Sequence, residues 1–242
     1  MKVKLLSTLL VTLSLVLVVP AHAGLLEQSA AMDRSYVPAL ALTNQRDKPQ
    51  ILVGESVQRF VTAWEKFSAE MNASEETKNI FSEAIALCSP KVAEAAKLAG
   101  ADKRKEAHEA LETVRLTLWK ARGSRGIVYL PDLFTAFHEP MEEFAETAAK
   151  PDADVAQLKK EAANLSKQWK NIEDTALDSS LFRVGPERAK KYDEQVKKQR
   201  EILDQIEQAL VAGEREKLSK ATMQMKGNFA QTFFVFGDFS GL

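Results

Sequence analysis

The 242-residue sequence predicts an all-α protein made of two tandemly repeated, diverged antiparallel helical bundles of the four-helix type, packed together. Three observations lead there. Apolar side chains recur at helical spacing in almost every segment, and almost no segment alternates as a strand would. Glycine and proline are scarce, 10 and 8, and most fall at the ends of the periodic stretches. Several short motifs also return in the same order about half a chain later, which marks an internal repeat.

The chain begins on a different kind of segment. Met1-Lys2-Val3-Lys4 is basic, Leu5 to Val19 is an unbroken run of Leu, Val, Ser and Thr, and Pro20-Ala21-His22-Ala23 has the small-residue pattern of a cleavage site. Residues 1–23 therefore read as a secretory signal peptide, too short and wrongly flanked for a membrane span. No Cys follows the cleavage point, so no lipid anchor is expected. The expected location is periplasmic, with cleavage after Ala23 and no membrane span afterwards.

The first bundle unit is expected over residues 36–126. Its short first helix lies near Tyr36-Val-Pro-Ala-Leu40, with Pro38 near the helix start. The second carries Val57, Phe60, Val61, Trp64, Phe67 and Met71 in one stripe over four turns. Asn72-Ala-Ser-Glu75 offers a capping box for the long third helix. There Ser89-Pro90 either opens a new helix or kinks the existing one. Gly100 ends that stretch, and a charged start leads into a fourth helix closing on Leu118-Trp119-Lys120-Ala121-Arg122-Gly123. The linker Gly123-Ser-Arg-Gly126 is too short for the units to swing freely.

The second unit is expected over residues 127–242 and repeats the plan. Tyr129-Leu-Pro-Asp-Leu133 echoes the Tyr36 motif, and its helix runs on through Pro140, whose missing amide marks a kink or a tolerated bend. Leu158, Ala162, Leu165, Trp169 and Ile172 form a second Trp-bearing stripe, begun near Pro151. Pro186 opens the long polar third helix, with Val196, Ile202, Leu203, Ile206 and Leu210 on one side. Gly213 matches Gly100, and Thr232-Phe233-Phe234-Val235-Phe236-Gly237 matches the end of the first unit.

Composition excludes several functions. The chain carries 33 basic and 34 acidic residues, and losing Lys2 and Lys4 with the leader takes the net charge from −1 to −3. That balance argues against nucleic-acid binding and against electrostatic attachment to anionic lipid. A lone Cys88 forms no intramolecular disulfide, no Cys-rich metal site and no paired-cysteine haem attachment. It reads as a small core residue. Without a phosphate loop, a nucleophile elbow or a His-Glu-x-x-His helix, no catalytic residues are expected.

The second unit carries Arg200-Glu-Ile-Leu-Asp-Gln-Ile-Glu-Gln-Ala-Leu210, then Gly213 and Lys217 to Phe229, and Met141-Glu142 with Phe144 on its first helix. In these residues it resembles the soluble periplasmic b-type cytochromes, four-helix bundles that hold haem between a Met on the first helix and a His on the last. The resemblance implies Met141 at the Met position and Gln231 where the histidine would stand. It thus implies a related bundle without that haem site.

Two groups of residues are the candidate working surface. His138 and Glu142 stand at i, i+4, where imidazole and carboxylate meet on one helical face. Met141 adjoins them, so His138, Met141 and Glu142 are candidate ligands for a transition metal. The alternative is a surface His–Glu hydrogen bond with Met141 in the core stripe. The last helix holds Phe229, Phe233, Phe234, Phe236 and Phe239 within eleven residues. Phe229, Phe233 and Phe236 share a face and either pack between the units or line a site for an apolar ligand. Arg115, Arg122 and Arg125 cluster near the unit junction and either pair with carboxylates or bind an anion. Lys103-Arg104-Lys105 and the run from Arg188 to Lys191 read as solvated faces.

The expected function is a non-catalytic periplasmic binding or accessory protein, its partner a small ligand, a metal ion or another periplasmic protein. The alternative is a metal- or haem-binding protein of electron transfer or metal homeostasis. A third reading is a structural or chaperone-like helical protein.

Overall fold

The computed structural model describes residues 23–242. The signal peptide assigned above lies outside the described residues, except for Ala23, which begins the first helix. Eight helices follow one another: α1 (Ala23–Thr43), α2 (Gln50–Met71), α3 (Glu75–Gly100), α4 (Arg104–Gly123), α5 (Leu130–Ala148), α6 (Val155–Glu173), α7 (Pro186–Ala212) and α8 (Arg215–Phe233). A short 3-10 turn, Phe234–Phe236, closes α8. There is no strand among the described residues, and no described helix is long and apolar enough to cross a membrane.

Each amphipathic stripe buries itself. Val57, Phe60, Trp64, Phe67 and Met71 are buried along α2, and Leu158, Ala162, Leu165, Trp169 and Ile172 along α6. The long α7 is polar overall and still buries Val196, Ile202, Leu203, Ile206 and Leu210. Helix ends follow local chemistry. Ser74, rather than Asn72, caps α3 by accepting from the Thr77 amide. Gly213 ends α7 in the left-handed conformation that a residue without Cβ adopts freely (φ 70°).

Proline behaves less simply. Pro49 precedes α2, and Pro131 and Pro186 occupy the first turns of α5 and α7. Pro90 and Pro140 lie inside α3 and α5. Pro38, expected near a helix start, lies inside α1. Its missing amide frees the carbonyl of Arg34, and the backbone amide of Asp238 donates to that carbonyl at 2.8 Å. The chain end therefore completes the first helix.

Helices α1 to α4 pack in sequence, and α4 returns against α1. Helices α5 to α8 do the same, and α8 returns against α5. The Trp64 indole donates to Ser89 Oγ of α3 (3.2 Å), and the Trp169 indole to the Val196 carbonyl of α7 (3.1 Å). Each tryptophan thus joins the second helix of its bundle to the third. Buried side chains of both bundles form one continuous apolar cluster. In the second bundle, Phe134 stands among Trp169, Tyr192, Phe229, Phe233 and Phe236, with ring centroids 5.5–6.4 Å away.

Polar groups also cross the junction between bundles. Arg122 of α4 holds Asp132 of α5 by two bonds, Nε to Oδ2 and Nη2 to Oδ1, both 2.7 Å. Its guanidinium also lies over the Tyr129 ring, 4.7 Å from the centroid. Tyr129 in turn donates to Asp33 of α1 at 2.7 Å. All four residues are at least nine-tenths buried. Arg188, expected on a solvated face, instead donates to the carbonyls of Val235 (2.8 Å) and Gly237 (2.9 Å), fastening the chain end after α8.

Candidate functional site

A cleft of ≈ 470 Å³ opens between the bundles, lined from α1, α4, α5 and α8 and by Phe234 of the 3-10 turn. Helices α1 and α4 carry one wall and α5 and α8 the other. Val37, Leu40, Met141, Phe229, Phe233 and Phe234 supply apolar surface. Both histidines of the described chain, His108 and His138, face the same space, with Glu112, Arg115, Glu142 and Lys226.

These six polar side chains form a chain across the cleft. His108 Nε2 lies 3.5 Å from Glu112 Oε1, one helical turn away. Glu112 also takes a hydrogen bond from Arg115 Nη2. The same nitrogen reaches His138 Nδ1 at 3.0 Å, carrying the chain from the first bundle to the second. His138 Nε2 stands 3.9 Å from Glu142 Oε1, and Glu142 Oε2 accepts from Lys226 Nζ at 2.5 Å.

Protonation follows from who can donate. Arginine only donates, so His138 Nδ1 accepts and the neutral ring carries its proton on Nε2. Burial, followed by the nearby Arg115, His108 and Lys226 charges, lowers the His138 pKa to about 3. His138 is therefore neutral at any ordinary pH. His108 Nδ1 lies 3.0 Å from the Leu40 carbonyl, an acceptor only, so that nitrogen carries a proton.

Five of the six residues singled out from sequence meet at this cleft: His138, Met141, Glu142, Phe229 and Phe233. Phe236 does not. It is fully buried, with its ring centroid 4.8 Å from Phe182 and 5.5 Å from Phe134, and serves the core. Sequence reasoning missed His108, Glu112 and Lys226 as members of the site. A signal existed for two of them, because His108 and Glu112 repeat the spacing of His138 and Glu142.

The metal ligands find no third partner. Among the described residues no three His, Cys, Asp or Glu side chains converge as a metal-binding group. Arg115 bridges Glu112 and His138, and Lys226 covers Glu142, so two side-chain cations occupy the places a metal would take. The haem position fares similarly. Gln231, where the resemblance would put the histidine, is exposed and accepts from Gln195 Nε2 at 3.5 Å. A glutamine amide does not fit the part of the haem histidine.

No protein-family model, curated protein or solved structure matches this chain.

Proposed function

We propose that this is a non-catalytic periplasmic binding or accessory protein whose two related bundles hold a small ligand in the cleft between them. The observation that carries the reading is the convergence of both described histidines, two carboxylates, two cations and three phenylalanines on one cleft. The volume lies in the range of small-molecule sites, and a few polar groups set among apolar walls are their usual composition. The basic-apolar-small order of residues 1–23 supports export. The matching tryptophan bonds, Trp64 to α3 and Trp169 to α7, support descent of the bundles from one duplicated unit.

Native mass spectrometry on protein isolated from its own cell envelope tests this directly. The expected result is a stoichiometric adduct of small mass, lost on substituting Ala230, which lines the cleft, with Trp. An adduct that survives Ala230→Trp, or none at all under gentle desolvation, sinks the reading. The metal-binding alternative has the two His-x-x-x-Glu pairs facing one cleft in its favour and the Arg115 and Lys226 contacts to them against it. Stoichiometric copper, nickel or zinc by elemental analysis would favour it instead.

A further inference from the structure

We infer that the ligand of this cleft is a small organic carboxylate with an apolar body, its carboxylate bound by Arg115, His138 and Lys226. This deepens the reading of the cleft as a binding site and rests on it.

Hydrogen-bond accounting points to an acceptor. The two acids of the cleft are already engaged: Glu112 by Arg115 and beside His108, Glu142 by Lys226. The donors are not all used. Arg115 Nε is buried with no partner, and Arg115 Nη1 makes no hydrogen bond among the described residues. The Nε2 proton of His138 faces Glu142 across 3.9 Å, beyond hydrogen-bond length. Arg115 and His138 thus keep N–H donors that a further oxygen acceptor would satisfy. A carboxylate supplies two, in the planar arrangement that matches a guanidinium.

Electrostatics select the charged acceptor over a neutral carbonyl. The cleft's two carboxylates are already matched by its two cations, Glu112 by Arg115 and Glu142 by Lys226, and what stays open is N–H groups of those cations. An incoming anion takes up those N–H groups, whereas a cationic ligand finds both carboxylates already paired. Lys226 is half exposed, so it can turn from Glu142 towards a bound anion. The apolar body would lie on Leu40, Met141, Phe229 and Phe233, within the ≈ 470 Å³ available.

The test compares three ligands of equal chain length, octanoate, octylamine and octanol, titrated into the mature protein by calorimetry and thermal shift. Octanoate should bind saturably at one site, and octanol and octylamine should bind at least about tenfold more weakly. Lys226→Gln and His138→Gln should each weaken octanoate several-fold while the unliganded protein melts near the wild-type temperature. Ala230→Trp should abolish binding. Equal or tighter binding of octanol or octylamine overturns the carboxylate proposal and leaves the cleft standing as a binding site. Unchanged octanoate affinity in both the Lys226 and His138 variants overturns it as well. If none of the three binds, the carboxylate proposal fails, and a native adduct lost in Ala230→Trp then decides whether the cleft reading fails too.

Discussion

The Tyr129 hydroxyl, at the residue before α5, donates to Asp33 Oδ2 on α1 at 2.7 Å, joining side chains 96 positions apart in sequence. The bond sits at the seam between the bundles, next to the Arg122–Asp132 pair, where almost no water reaches. Burial raises the Asp33 pKa to about 6, despite the opposing pull of Arg122 and of the Tyr129 hydrogen bond. A carboxyl that prefers its proton at the seam makes the join between bundles sensitive to pH.

The sign follows from linkage. The folded-state pKa of Asp33 lies above its unfolded value of 3.8, so its stabilising contribution is complete below about pH 4 and is lost as pH rises through about 6. Asp33→Asn removes this dependence. In urea unfolding, the stability of wild type relative to Asp33→Asn should drop by roughly 2–3 kcal/mol between pH 4 and pH 7. A difference that stays flat over that range, or rises, contradicts the assignment.

His138 works in the opposite direction over an overlapping window. Its folded-state pKa is depressed from 6.5 to about 3, so the native protein resists a proton that the unfolded chain accepts. Its contribution is present above pH 6.5 and is lost as pH falls towards 3. His138→Gln should therefore lose less stability on acidification than wild type. Proton resonances of His138 followed by NMR should show no titration between pH 8 and pH 5; a midpoint near 6.5 would contradict the buried, Arg115-bonded tautomer.

The Arg122–Asp132 pair is a buried two-pronged contact, and losing one partner strands the other. Asp132→Asn or Arg122→Met should each cost about 3–5 kcal/mol by chemical denaturation. The double variant Arg122→Met/Asp132→Asn should cost clearly less than the two single effects added together, because no unpaired charge remains. Simple additivity would show that the two side chains act independently.

Sequence periodicity announced the helices because burial of a stripe every 3.6 residues is a local property. Trp64 and Trp169 could be placed on their second helices for that reason. Partner choice across helices is not local. Arg115 and Arg122 were recognisable as groups needing carboxylates or an anion, yet nothing nearby in the chain identifies Asp132 as the partner of Arg122, ten residues on and across a helix boundary. His108 could not be joined to His138 before α4 was packed on α5. Pro38 misled for the same reason: its broken bond at Arg34 is repaired by Asp238, from the far end of the chain.

That repair predicts opposite outcomes for two glycine substitutions. Gly237 adopts an extended backbone open to any residue (φ −94°, ψ 156°), so conformation alone would tolerate alanine. Space would not. A Cβ there would meet Phe239 at 2.8 Å, Val37 at 2.9 Å and Pro38 at 3.0 Å, which is where the chain end lies on α1. Gly237→Ala should therefore destabilise by about 1–3 kcal/mol through overpacking. Gly54, inside α2, has nothing within 4 Å of the corresponding position. Gly54→Ala should stabilise by roughly 0.5–1 kcal/mol, since alanine costs less backbone entropy in a helix. Thermal denaturation of the two variants side by side distinguishes them. If Gly237→Ala melts at or above wild type, the chain end is not seated against Pro38, and the amide of Asp238 is not what completes α1.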